Sequence, residues 1–294
     1  LRHANGRPQV AHSFVGNSAL PRIFGIFKLQ AVDPGGSAVI LRRHFIVEND
    51  RMSLSHDLVL VHSSDLHVDD DLTADVYDGD GTGGLRVVLA TARAAQAHYA
   101  LLVGDVFDHN RMPPSILARA GELMAEAGME VVILPGNHDP LTPDSCYIRG
   151  GYADIPNVHI LGLTHELAVQ FPDHELEIWG HAHRNYDNMV PLRAPRPRSA
   201  RWHVTLAHGH YEEDGAVPLR PSWLISDAEI DATGSDYLAL GHWNRPEKVG
   251  TGLVPAYYSG SPELAKTVNL IRLTAGGSVE VERKPLITNR TSGQ

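Results

Sequence analysis

Ala100-Leu101-Leu102-Val103-Gly104-Asp105-Val106-Phe107-Asp108 passes without interruption from four aliphatic residues into a glycine and a carboxylate. A continuous apolar run closed by a turn residue is the pattern of a strand buried on both faces. The pattern repeats on either side. Upstream, Leu58 to Val61 leads into Ser64-Asp65-Leu66-His67; downstream, Val131 to Leu134 leads into Pro135-Gly136-Asn137-His138-Asp139. The segments between read as helices. Leu85 to His98 places Val87, Val88, Leu89, Ala92 and Ala95 at roughly helical spacing, and Pro113 to Ala127 has proline near its start and Gly128 just past its end. Strand, helix, strand, helix, strand predicts an α/β layer with parallel strands.

Further along, strands dominate. Candidates are Val158 to Leu161, Leu176 to Trp179, Trp202 to Ala207, Tyr237 to Leu240, Pro255 to Tyr258 and a closing pair around Gly276-Gly277. The prolines of Arg193-Ala-Pro-Arg-Pro-Arg-Ser-Ala-Arg201 make that stretch a loop. The whole is expected to be an α/β fold: a sandwich of two mixed sheets with helices outside, spanning residues 52–294. Residues 1–51 lack a sustained period of either kind and read as an N-terminal extension, or as sequence ahead of a true start at Met52, the first methionine; the second reading is preferred.

Bulk composition narrows the function classes. The chain has 294 residues, 43% hydrophobic and 20% charged, enough to bury a sizeable core. A net charge of −10 does not attract nucleic acid unaided. Bound divalent cations would reverse the local sign, so a phosphate substrate stays open. Cys146 is the only cysteine, which excludes an intrachain disulfide and suits a reducing compartment. No apolar run approaches a membrane span, and Ile23 to Ile26 is too short and interrupted for a signal-peptide core. A cytoplasmic protein is expected. Most of the 18 histidines must be ordinary surface or loop residues.

Each predicted strand ends in a polar cluster. In open α/β sheets ligands sit beyond the carboxyl ends of the strands, so these clusters should converge. Glycines before Asp105 and Asn137 would let the backbone turn sharply. Asp65 and His67 stand two apart, so an extended backbone could aim both to one side. Downstream, Val204 to Ala207 leads into His208-Gly-His210, and Tyr237 to Leu240 into Gly241-His242-Trp243-Asn244, which supplies a second wall of ligands. Carboxylates, an amide oxygen and imidazoles without a thiolate favour manganese, iron or zinc.

Taken in order, Asp65-x-His67, Gly104-Asp105-x-x-Asp108, Gly136-Asn137-His138-Asp139, His208 and Gly241-His242 resemble the calcineurin-like metallophosphoesterase signature from about Asp57 to Glu263. Each motif alone is weak; five in order at strand ends are specific. The resemblance implies a four-layer α/β/β/α sandwich and a metal-dependent phosphoesterase in which a two-metal-activated hydroxide attacks a phosphodiester. It implies two divalent ions, manganese first, one held by Asp65, His67 and Asp105 and the other by Asp105, Asn137, His208 and His242. His138 would face the scissile phosphate, and Asp108 and Asp139 would orient their neighbours. Within the family, Tyr237-Leu-Ala-Leu-Gly-His-Trp243 and Tyr258-Ser-Gly-Ser-Pro-Glu263 are similar to the branch of DNA-repair exonucleases.

The sequence departs from that pattern at Asn244, where the family motif Gly-His-x-His carries a second histidine for the first metal. Asparagine can still offer an oxygen; His210 could compensate, but reads better as a loop residue. Trp179-Gly180-His181-Ala182-His183 repeats Gly-His-x-His, yet adopting it would strand His208 and His242, so it is set aside. Arg193, Arg196, Arg198 and Arg201 could touch a phosphate backbone or sit in a solvated loop, with neither favoured. Trp179, Trp202 and Trp243 read as core or site walls, and Trp243 could stack a base. The expected partner is a phosphodiester substrate, a small molecule or DNA, with no membrane; a homodimer is allowed. About 50 residues follow Asn244, little for the extra DNA-capping domain of repair nucleases. The competing readings are a phosphoesterase for small diesters or monoesters, and a non-catalytic scaffold.

Overall fold

In the first half of the chain, β1 (Leu58–Ser63), α1 (Asp71–Val76), α2 (Gly83–Ala94), β2 (Tyr99–Val103), α3 (Pro114–Ala125), β3 (Glu130–Leu134), α4 (Cys146–Arg149) and β4 (Val158–Ile160) follow one another. The second half adds β5 (Ala168–Phe171), β6 (Leu176–Gly180), β7 (Trp202–His208), β8 (His210–Tyr211), β9 (Leu224–Ile225), α5 (Asp227–Ala232), β10 (Tyr237–Gly241), β11 (Glu247–Val249), β12 (Ala256–Tyr258), α6 (Pro262–Ala265), β13 (Thr267–Leu273) and β14 (Val279–Pro285). The structure, a computed structural model, describes residues 56–212 and 222–287. The expectations for residues 1–51 and Met52 lie outside the described residues.

Two six-stranded mixed sheets result, in the orders β14-β13-β1-β2-β3-β4 and β11-β12-β10-β7-β6-β5. Strands β1 to β4 are parallel, as are β6, β7, β10 and β12; β13 and β14 join one sheet antiparallel, and β5 and β11 edge the other antiparallel. The expected α/β sandwich of two mixed sheets with outer helices is therefore the fold.

Alternation along the strands builds the layers. Val59 and Val61 of β1, with Ala100 and Leu102 of β2, face α2 and α3, where Leu85, Val88, Ala92, Leu117 and Ala120 complete the outer core. Leu58, Leu60, Tyr99 and Leu101 face the other sheet and meet Val204, Leu206, Tyr237 and Ala239. A third cluster, including Leu238, Leu240, Ile225 and Ile230, covers the far side of the second sheet. Central strands buried on both faces explain why their sequence reads as continuous apolar runs. Truncating Leu101 to alanine would cost roughly 2–5 kcal/mol by transfer and cavity terms. Among the described residues no helix is long and apolar enough to cross a membrane.

Candidate metal centre

The carboxyl ends of β1, β2, β3, β7 and β10 meet at one edge of the sandwich, stitched by backbone contacts. Asp65 N–H donates to Gly104 O at 3.1 Å, and His67 N–H to Asp105 O at 3.0 Å. His208 Nδ1 lies 3.0 Å from Val103 O. A carbonyl only accepts, so Nδ1 carries a proton, and Nε2 turns inward as a second donor whose proton a bound metal would displace. There Nε2 lies 3.0 Å from Asn137 Oδ1 and 3.1 Å from Asp105 Oδ2.

Two ligand-spaced groups share Asp105. In Asp65, His67 and Asp105, one ligand atom from each lies within 4.8 Å of the others, and Asp105, His208 and His242 satisfy the same limit. Asn137 joins the second group through its contact with His208. Six of the seven predicted metal ligands are thus brought together. Asn244 is exposed, its carbonyl accepts Ser261 N–H at 3.2 Å, and among the described residues no hydrogen bond joins its amide to the cluster. His210 commits its Nδ1 to Trp243, accepting Nε1–H at 3.0 Å.

The backbone around this cluster is strained. Asp65 (φ 54°), His67 (φ 40°), Asp105 (φ 51°) and His242 (φ 103°) all occupy positive φ, a region costly for residues with a Cβ and typical of functional sites. Gly104, at φ 81°, also leaves room for the His208 ring, which a Cβ would strike. Gly136 is needed for a different reason from the sharp turn expected of it. It is absent from the positive-φ residues, and its missing Cβ makes space for the Asp105 carboxylate.

Charge in the cluster is poorly balanced. Asp65 and Asp105 are both buried, and no lysine or arginine among the described residues pairs with either. Burial raises the Asp65 carboxyl, opposed by the nearby His208. Asp105 is lowered: burial opposes ionisation, but His208 overrides it. Burial would likewise lower His208, yet the Asp105 carboxylate pushes it up to about 9. The site thus draws positive charge inward. His67 Nδ1 is buried without a hydrogen bond, standing 3.3 Å from Asp108 Oδ1 but out of line for one. Two buried carboxylates, an amide oxygen, inward imidazoles and an orphaned ring nitrogen fit a pair of borderline divalent cations.

His138 lies at the open side, its side chain 44% exposed. Its Nδ1 is 2.9 Å from Asp108 O, so Nδ1–H donates there and Nε2 faces outward. That bond argues against metal binding through Nδ1, although His67, Asp108 and His138 are spaced closely enough to be a third group. Burial lowers the imidazole, but Asp105 and the Asp108 carbonyl raise it further, to a net upward shift. Asp108 stands between the two histidines, its Oδ1 3.7 Å from His138 Nδ1. Asp139, expected to orient its neighbours, does so from inside the fold. It is fully buried and accepts from Gly136 N–H at 2.7 Å, Phe107 N–H at 3.0 Å and Tyr147 O–H at 2.6 Å, locking two ligand loops together.

The competing Gly-His-x-His motif lies behind the centre. His181 Nε2 bonds Arg193 O at 2.7 Å, and the fully buried His183 Nε2 bonds His208 O at 3.0 Å. The arginine loop is tied down onto the rest of the fold. Arg196 pairs with buried Glu177, which also accepts Ser199 O–H at 2.6 Å. Arg198 grips Asp236 at 2.6 and 3.1 Å, and Arg201 donates to Ala275 O at 2.7 Å. Trp179 and Trp202 are core residues. Trp223, which no motif singles out, meets the ring of His242 at 5.8 Å.

Known proteins share this fold. The calcineurin-like phosphoesterase family matches residues 58–266. Similar solved structures include TT1561 of Thermus thermophilus, with TM-score 0.52, 13% identity, and coverage of 77% of this chain and 98% of that one. A putative 5′-nucleotidase from Staphylococcus aureus in complex with alpha-ketoglutarate has TM-score 0.53 and 14% identity over 81% of this chain and 56% of its own. Identities this low carry the fold alone. No curated protein matches the chain.

Proposed function

The chain belongs to the calcineurin-like phosphoesterases, hydrolases of phosphoester bonds that bind divalent metal ions, and we propose that it hydrolyses phosphodiesters of small molecules with manganese as the preferred ion. Asp65, His67 and Asp105 would hold one ion, and Asp105, Asn137, His208 and His242 the other. Bound there, divalent cations would supply Lewis acidity, lowering the pKa of a coordinated water and neutralising charge on the phosphoryl oxygens. The chain's own residues do the rest. His138, its Nδ1–H anchored on Asp108, presents Nε2 to the leaving or equatorial oxygen. Asp139 fixes the loop that carries Asn137 and His138. A cytoplasmic setting suits the single reduced thiol.

One observation favours small substrates over DNA. Arg196, Arg198 and Arg201 are committed to Glu177, Asp236 and backbone carbonyls, so they do not form a ready phosphate-binding track. Residues that resemble the nuclease branch also have internal partners: Tyr237 O–H lies 3.0 Å from His62 Nδ1, and Tyr258 O–H donates to Gly209 O at 2.7 Å. The likeness to a putative 5′-nucleotidase from Staphylococcus aureus keeps phosphomonoesters as the second reading.

The test is hydrolysis by the manganese-loaded protein of bis-p-nitrophenyl phosphate, p-nitrophenyl phosphate, and single- and double-stranded DNA. Turnover of the diester without DNA cleavage is expected. DNA cleavage at a comparable rate would overturn the small-molecule reading. Inactivity on all substrates, with His138→Ala indistinguishable from wild type, would instead support the scaffold.

A further inference from the structure

We infer that Trp223 is the stacking surface for a nucleobase, so that the ester taken by this centre is a nucleotide ester; this rests on the phosphoesterase reading above. The four tryptophans occupy different settings. Trp179 and Trp202 are buried. Trp243, the residue whose position in sequence suggested stacking, already lies parallel to Tyr258 at 4.4 Å and 10°, with the Arg245 guanidinium 5.6 Å from its ring. Trp223 is half-buried, and the rings it meets stand across it: His242 at 77° and His183 at 70°. Among the described residues no aromatic ring lies parallel to it.

The indole is also held in place beside the metal-ligand face. Trp223 N–H donates to Asn188 Oδ1 at 2.7 Å, and Nε1–H donates to Asp187 O at 3.2 Å. Its backbone sits at φ 58°, an unfavourable conformation for a residue with a Cβ. The loop that supplies Asp187 and Asn188 also carries Tyr186, which is 59% exposed, with its hydroxyl 3.3 Å from Asn110 Nδ2, two residues past Asp108. That loop thus holds an indole on the His242 side and presents a phenol on the Asp108 side. A planar base attached to the bound phosphate gains a π surface there, whereas an aliphatic alcohol gains little. Stacking also suits a protein of net charge −10, because a neutral base needs no cation for its recognition.

The test combines binding with selectivity, in manganese throughout. Adenosine monophosphate should quench tryptophan emission saturably, and glycerol phosphate should not; Trp223→Phe should remove the tryptophan signal while keeping most of the affinity. The ratio of kcat/KM for a nucleotide diester to that for glycerophosphoethanolamine should fall about tenfold in Trp223→Ala, within the usual range for loss of one base–aromatic stack. Trp223→Phe should recover much of that ratio and guards against a folding artefact. Equal binding of the two phosphates, or an unchanged ratio in Trp223→Ala, overturns the inference. If no ester is turned over, the hydrolase reading falls, and the binding measurement still decides the role of Trp223.

Discussion

Two regions of this molecule gather charged side chains, and they treat them in opposite ways. At the carboxyl ends of β1, β2, β3, β7 and β10, buried Asp65 and Asp105 have no lysine or arginine partner among the described residues, and the backbone bends into positive φ to bring them together. In the Arg193–Arg201 loop, Arg196, Arg198, Glu177 and Asp236 answer one another, and Glu177 sits fully buried within Arg196, Ser199 and His203. The first region leaves electrostatic work undone, and a cation finishes it. In the second, each buried or half-buried charge already faces an opposite one. Uncompensated buried charge therefore separates a working site from a structural one here; positive φ alone does not, since Ala194 in the arginine loop stands at φ 44°.

Breaking the first region should have the largest effect. Asp105→Asn removes the carboxylate shared by both ligand groups, and kcat/KM on a diester should fall beyond the roughly 10–100-fold seen for outer partners of a metal ligand. Steady-state kinetics at saturating manganese would check this. Breaking the second should injure stability instead. Glu177→Ala leaves the buried His203 and the Arg196 guanidinium without their acceptor, and urea unfolding should show a loss of roughly 3 kcal/mol, with the metal affinity of the centre retained.

A smaller effect belongs to Glu263, at the start of α6. Its carboxyl is buried with Oε1 unpartnered, and burial raises its pKa from 4.5 to about 8. The folded state therefore holds this proton more tightly than the unfolded chain. The associated stability is present below about pH 4.5 and is lost as pH rises through about 8. Glu263→Gln should flatten that slope, with a relative gain of roughly 1–3 kcal/mol at pH 9 in unfolding experiments. Smallest of all, Arg198→Ala should change KM for a diester less than about 2-fold, since its charge is spent on Asp236 and surface pairs contribute little.

Most of the fold was legible in the sequence because the central strands are buried on both faces. Leu58–Val61, Ala100–Val103 and Val131–Leu134 admit few other readings, and the glycines and polar residues that end them mark where ligands gather. Edge elements were harder to see. β5 (Ala168–Phe171) and β11 (Glu247–Val249) include exposed residues and lack a long apolar run, and α5 is a six-residue helix signalled mainly by its Ser226–Glu229 capping box. Within the site, order and spacing pointed to Asp65, His67, Asp105, Asn137, His208 and His242. The part of Asp139 was less visible: its carboxylate binds Gly136, Phe107 and Tyr147, contacts that only the folded chain creates. Trp223 was invisible for the same reason, its relation to His242 being spatial across 19 residues of sequence.

The most direct measurement is a count of manganese bound per chain after equilibrium dialysis of wild type and Asp105→Asn. Wild type should bind two ions, the ion held by Asp65 and His67 more weakly, and Asp105→Asn should lose both at the same free concentration. An unaltered count in Asp105→Asn, or no specific binding by wild type, would contradict the assignment of the uncompensated cluster as a two-metal centre.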